Sequence, residues 1–222
     1  RPFLEILAGE LHQKHGNEIS GLQIVFPSRR AGLYFKKYIS ERIAAPVWAP
    51  VTCGISEFIR ENSELLVADD LTLIFELYEV YKEFAADVTF DKFSPWGEII
   101  LRAFDEIDKN LADANYLFRI LKEHKKVEED FEFSVSDLDE FYRFWNSFSA
   151  KDITGLQDEF IKTWEILGKV YHKFRARLSA NNICYEGMAY RKLYEKVKTN
   201  TFEAGFKQIV FAGFNQLNKC EE

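Results

Sequence analysis

Residues 22–43 read "LQIVFPSRRAGLYFKKYISERI", and the reading of this stretch decides the fold. Leu22 to Phe26 is a short run of almost continuous apolar residues, the pattern of a strand covered on both faces. Pro27 has no N–H to give a ladder, so the strand stops there. Ser28 then caps a helix whose apolar face is expected to include Leu33, Phe35, Tyr38, Ile39 and Ile43. Arg29 and Arg30 stand side by side at the turn between the two elements.

Elements of the same kind flank this unit. Before it, Phe3 to His15 has apolar residues at helical spacing, and Gly16 and Asn17 end that helix. After it, Val47 to Cys53 is a second strand candidate broken by Pro50, with a helix from about Ser56. From Asp70 to Lys198 the pattern is almost wholly helical. "SPWGEIILRAFDEIDKNL" opens on Ser94 as cap with Pro95 in the first helical position. "SVSDLDEFYRFWNSF" has Ser136 as cap with Asp139 three residues on. Leu156 to Leu178 reads as one long helix, and a strand returns at Gln208 to Phe211.

Strands therefore cluster near the two ends, with a long helical block between them. The expected class is helix-rich α/β. Residues 1–68 begin a parallel sheet, residues 69–200 form an inserted helical subdomain, and residues 201–222 bring back a strand. The chain breaks off just after that strand, so we expect the 222 residues to be a piece of a longer protein.

Composition limits the function. Hydrophobic residues make up 47% of the chain, which places it among globular proteins rather than disordered ones. The 21 phenylalanines imply helices packed through rings. No run suits a bilayer span, so no membrane role is expected. Cys53, Cys184 and Cys220 are odd in number and widely spaced, which fits reduced thiols in a cytoplasmic protein and no zinc site. With 29 basic against 36 acidic residues, any contact with a polyanion has to be local.

The strand-to-helix turn is where such a contact would form. In an open α/β sheet, ligands bind at the carboxyl ends of the strands. A helix N-terminus there offers free N–H groups and a partial positive charge, both suited to phosphate. Ser28, Arg29 and Arg30 occupy that position, and arginine's forked donors match phosphate oxygens. On charge pattern alone, solvated arginines or pairing with acidic neighbours is the simpler account.

"IVFPSRRAGLYFKKYISERI" resembles motif Ia of superfamily-one helicases. It is closer still to the "PTRRA" or "PNRRA" form found in AddB-like proteins, the degenerate helicase-nucleases of bacterial double-strand-break repair. "APVTCGISEFI" resembles the next motif, with Thr52 at its threonine and without the histidine that often follows. "ICYEGMAYRKLYEKV" is similar to the segment before the Walker B strand, and "KQIVFAGFNQL" falls where these helicases carry "ILVDEFQD". The resemblance implies a partial P-loop (RecA-like) sheet with a 1B-like helical insertion. In this alignment Ala212 and Gly213 replace the Walker B carboxylates that would hold magnesium and position water, and no G-x-x-x-x-G-K-[ST] is present. Asn215 and Gln216 fall where the family has Gln and Asp.

These matches imply a helicase-like fold that has lost ATP hydrolysis, with no cofactor in this fragment. Its expected role is to bind single-stranded DNA or to dock against an AddA-like helicase-nuclease subunit, with Ser28, Arg29, Arg30 and Thr52 on phosphates. The full-length protein would carry a PD-(D/E)XK exonuclease domain. An acidic, helix-rich protein–protein interaction module is the main alternative. A working ATPase whose P-loop lies upstream is a third.

Other constellations carry less. His12 and His15 share a helix face without a third ligand, and are expected on an exposed polar surface. In "FDEIDKNL", Asp105 and Asp108 share a face, with Glu106 beside them, and Lys109 and Arg102 are the expected neutralising partners. The acidic stretch "VEEDFEFSVSDLDEF" reads as a solvated loop and helix start. "HKFRARL", residues 172–178, is a second basic patch that suits either a phosphate backbone or a solvated face. Trp96, Trp145 and Trp164 are expected in packing, and Cys53 and Cys184 in the core.

Overall fold

The computed structural model describes residues 1–44, 46–124 and 157–222, with side chains described outside residues 120–165 as well. The helix expected at Ser136, the acidic stretch before it, Trp145 and the Trp164 side chain lie outside the described residues. Helix α1, Phe3–His15, stops at Gly16, whose φ of 54° lets the chain reverse into a 3-10 turn, Gly16–Gly21. Strand β1, Leu22–Phe26, is buried along its whole length, Gln23 included, as its almost continuous apolar run suggests.

Helix α2 spans Arg29–Ser40, β2 Val51–Gly54 and α3 Ile55–Asn62. Strand β5, Gln208–Phe211, returns from the far end of the sequence. The sheet order is β2-β1-β5, all parallel, so Ile24 sits between Thr52 and Val210. The two ends of the chain do share one sheet. Strand β2 is shorter than the expected Val47 to Cys53. Pro50 has no N–H for the ladder, so pairing begins only after it.

The period of two along β1 sends its side chains to two cores. Leu22, Ile24 and Phe26 face α1 and α2, with Ala8, Leu11, Phe35 and Ile39. Val25 faces the other way, with Cys53 beside it, toward Phe58 and Ile59 of α3. That second cluster continues without a break into the helical segments, through Leu77, Phe104, Phe174 and Leu193. Leu33 is not part of the α2 apolar face: it is 70% exposed. A Cβ on Gly32 would stand 2.9 Å from Thr52 Oγ1, so α2 approaches β2 through its glycine. That approach turns Leu33 outward.

The helical segments are α4, Asp70–Lys82, α5, Phe90–Lys109, α6, Ala114–His124, α7, Gln157–Ala180, and α8, Glu186–Lys198. Asp69 caps α4, its carboxylate accepting from Thr72 N at 3.0 Å. Helix α5 starts a turn earlier than the Ser94-Pro95 pair suggests, and Pro95 lies inside it. Phe90 stacks on Phe75 at 4.3 Å between centroids, and Phe93 packs on Tyr81 at 4.8 Å. These ring contacts hold the extra turn although Pro95 removes one backbone hydrogen bond from it.

The stretch from Asp70 to Lys198 is not wholly helical. Strand β4, Ile183–Cys184, pairs in parallel with β3, Leu66–Val67. Leu66 N donates to Asn182 O at 3.1 Å and Ala68 N to Cys184 O at 3.0 Å. Two residues per strand are too few to show a period in sequence. Helices α5 and α8 touch backbone to backbone, because Gly187 carries no Cβ to collide with Asp105 O, 2.2 Å from where one would stand. Among the described residues, no helix is long and apolar enough to cross a membrane.

Candidate functional site at the carboxyl edge of the sheet

Because β1, β2 and β5 run the same way, their carboxyl ends open on one edge. Three turns meet there. A Cβ on Gly54 would lie 3.7 Å from Arg29 N, and one on Gly213 would lie 3.9 Å from Pro27 Cδ and 3.4 Å from the Phe3 ring. The structure therefore brings Ser28, Arg29 and Arg30 together with the ends of β2 and β5.

Ser28 occupies the N-cap of α2 with extended φ and ψ, as expected, but its hydroxyl makes no capping bond. Its carbonyl accepts from Ala31 N at 3.2 Å. Arg29 is 72% exposed at its side chain, yet it is not free. Its Nε donates to Glu57 Oε2 at 2.9 Å and its Nη2 to Oε1 at 2.6 Å, a two-pronged pair that ties α2 to α3. The hydrogen bond to Glu57 raises the Arg29 pKa, and the bond from Arg29 holds the Glu57 carboxyl below its ordinary value. Arg30 is exposed and, among the described residues, makes no ion pair or hydrogen bond. The turn thus presents one uncompensated guanidinium beside a helix N-terminus.

Thr52 lies on the α2 side of the sheet, and its hydroxyl is pressed against Gly32 rather than aimed at the turn. Ala212 is buried and extends the ladder, its N–H donating to Val25 O at 3.0 Å. Gly213 follows with φ of 82°, a left-handed value that side-chain-bearing residues rarely adopt. Asn215 and Gln216 are exposed just beyond. Without carboxylates at 212 and 213, this edge can hold an anion by charge and N–H groups. It has no acidic group on β5 with which to hold a divalent cation.

Asp108 is the functional-looking residue whose surroundings the sequence did not disclose. It is fully buried. Tyr171 donates to its Oδ1 at 2.6 Å and Tyr185 donates to its Oδ2. Arg191 Nη1 lies 3.2 Å from Oδ1 and Arg175 Nε 3.5 Å from Oδ2. The expected neutralising partners were Lys109 and Arg102. Lys109 does neutralise Asp105, at 2.8 Å, and also bonds Glu186 at 2.7 Å, but it does not pair with Asp108, and Arg102 is exposed. Burial opposes the Lys109 charge, but those two hydrogen bonds outweigh it and raise its pKa. Burial, with the Asp108 charge behind it, also raises both tyrosines, keeping their hydroxyls protonated as donors. A closed node of this kind braces α5, α7 and α8 and offers no access for a substrate.

The second basic patch lies on a solvated helix face, with His172, Lys173 and Arg177 exposed. Lys173 pairs with Glu83 and Arg177 with Glu76, and Arg175 turns inward to Asp108. His172 Nε2 meets Asn115 Oδ1 at 2.7 Å. His12 and His15 are half-buried rather than exposed, with His12 Nδ1 and His15 Nε2 buried without a hydrogen-bond partner. Among the described residues no group of three metal-ligating side chains forms. Cys53 and Cys184 are buried, as expected, and burial pushes the Cys184 thiol up to about 12.

A cleft of about 320 Å³ opens at the carboxyl edge of the β3-β4 pair. Asp70, Glu98, Asp105 and Glu186 line it against a single arginine, Arg102. That charge repels a phosphate backbone, which leaves the β1-α2 turn as the better anion site. Neither a protein-family model nor a curated protein matches the chain.

Proposed function

We propose that this chain is the helicase-like, non-catalytic N-terminal portion of an AddB-type helicase-nuclease. Its role is to bind single-stranded DNA or to serve as a scaffold in double-strand-break repair. The parallel sheet would be part of a P-loop-type core, and residues 69–200 its 1B-like insertion. The observation that carries this reading is the meeting of the "FPSRRA" turn with the Ala212-Gly213 turn on one sheet edge. That is the arrangement the resemblance requires, with the Walker B carboxylates absent. Arg30 is the principal phosphate contact, supported by Ser28 and by the N-terminus of α2. Arg29 and Thr52 contribute less, because Glu57 and Gly32 already engage them.

The same Arg29–Glu57 pair favours a second reading, a protein–protein interaction module with no nucleic-acid role. Fluorescence anisotropy on a labelled single-stranded oligonucleotide separates the two. In the DNA reading the wild-type chain binds, affinity falls with salt, and Arg30→Ala weakens binding and lowers the log–log salt slope by about 0.7. An R29A/R30A protein whose affinity and salt slope equal those of the wild type leaves the interaction module as the function.

A further inference from the structure

Helix α2 buries one face and leaves the opposite one open to solvent. Phe35 and Ile39 pack with β1, and Gly32 rests on Thr52. The opposite face carries Arg30, Leu33, Tyr34 and Lys37, spaced i, i+3, i+4 and i+7 so that they form one stripe. All four are exposed, Leu33 at 70% and Tyr34 at 53%. The solvent face of a helix is ordinarily polar or charged throughout. Here a phenol ring stands about one turn from a cation on either side, with a leucine next to it.

The charges on this face are uncompensated. Among the described residues, Arg30, Lys36 and Lys37 make no ion pair, and the Tyr34 ring and hydroxyl have no partner. Other exposed cations are paired: Arg29 with Glu57, Lys173 with Glu83 and Arg177 with Glu76. In a chain of net charge −7, these unpaired cations on one helix make a local positive field against an acidic background. Glu41, at the C-cap, is the first acidic residue along the helix and ends the run.

Cations that track a backbone, with an aromatic ring between them, are the chemistry that holds a single nucleic-acid strand. Arg30 and Lys37 are about 10 Å apart along the helix axis. That exceeds one nucleotide step, so the two meet different phosphates. A duplex hides the faces of its bases, whereas a single strand can lay one on Tyr34.

We infer that the outer face of α2 continues the anion site of the sheet edge, and that single-stranded DNA lies along it with a base stacked on Tyr34 and phosphates on Arg30 and Lys37. The strand runs from the β1-α2 turn toward the C-terminus of the helix. Leu33 gives the stacked base an apolar neighbour. This inference rests on the DNA-binding reading above and adds to it the path of the strand and the residue that tells a single strand from a duplex.

Fluorescence anisotropy with labelled oligothymidylate, and with a duplex of the same length, tests it. The wild-type chain binds the single strand more tightly than the duplex. Tyr34→Ala weakens single-strand binding by about five- to 150-fold and leaves the salt slope unchanged, and Tyr34→Phe keeps the wild-type affinity. Lys37→Gln weakens binding and lowers the log–log salt slope by about 0.7. These side chains are exposed, so the variants keep the wild-type circular dichroism and thermal midpoint. Wild-type affinity in Y34A or in K37Q, where R30A binds more weakly, overturns the inference and leaves the DNA reading standing. Equal affinity for duplex and single strand overturns it too. A wild-type chain that binds no single-stranded DNA overturns both.

Discussion

The Arg29 guanidinium grips the Glu57 carboxylate with two hydrogen bonds, so the first residue of α2 is bolted to the first turn of α3. Each arginine of the Arg29-Arg30 pair consequently has its own electrostatic state. One charge is cancelled locally and the other is free to meet an anion.

Removing the Glu57 charge should release Arg29 for phosphate. Glu57→Gln is expected to strengthen single-stranded DNA binding and to steepen the salt slope by about 0.7, one additional phosphate contact. Anisotropy titrations at several salt concentrations measure both. An E57Q protein that binds more weakly than the wild type would mean that the pair shapes the site instead of masking it.

Acid titration probes the same pair. The folded-state pKa of Glu57 is depressed, so its stabilising contribution is present above the ordinary carboxylate value. That contribution is lost as pH falls through the lower folded value. Urea midpoints from pH 7 down to pH 3 should fall more for the wild type than for E57Q. Parallel falls for the two proteins would show that the pair adds nothing measurable to folding, as happens for many exposed pairs.

Gly213→Asp, which returns a carboxylate to the β5 turn, should destabilise the fold by about 1–2 kcal/mol and yield no ATP turnover. The backbone at 213 is left-handed, and an added Cβ presses on Phe3. Chemical denaturation and a coupled ATPase assay check the two halves independently.

Asp108→Asn leaves the half-buried Arg175 and Arg191 without their counter-charge. The expected loss is about 3–5 kcal/mol, large enough to unfold a marginal domain. The milder Tyr185→Phe removes one donor and should cost about 1–3 kcal/mol. Urea unfolding followed by circular dichroism reads both, and a cost under 0.5 kcal/mol for D108N would show the node to be expendable.

Gly187→Ala places a methyl where Asp105 O already sits, so α5 and α8 must part. Overpacking at such a backbone contact typically costs about 1–3 kcal/mol. A thermal midpoint unchanged in G187A would show that the two helices can separate freely.

What could be read from the sequence was what short range determines. The four apolar residues of β1 and the QIVF of β5 are continuous enough to announce strands, and Pro27 and Gly16 mark true boundaries, but β5, read as buried, has Gln208 and Phe211 exposed because no strand lies on its outer side among the described residues. Ser94-Pro95 misled because the local helix-start signal was outweighed by rings packing on α4. The β3-β4 pair left no trace, since its strands are too short to carry a pattern. At the candidate site the turn itself was legible, but the state of its charges was not. Glu57 comes from another helix, and only the fold decides that it reaches Arg29 and not Arg30. The partners of Asp108 come from α7, β4's far end and α8, so "FDEIDKNL" could show a carboxylate but not its burial.

The turn at Asn218–Glu222 acts as a stopper. Cys220 N donates to Lys109 O at 3.1 Å and its thiol to Asp108 O at 3.2 Å, so these last residues close off the carbonyl end of α5. Trimming them would bare peptide oxygens beside the buried Asp108 carboxylate, and shortened versions of the protein should retain them.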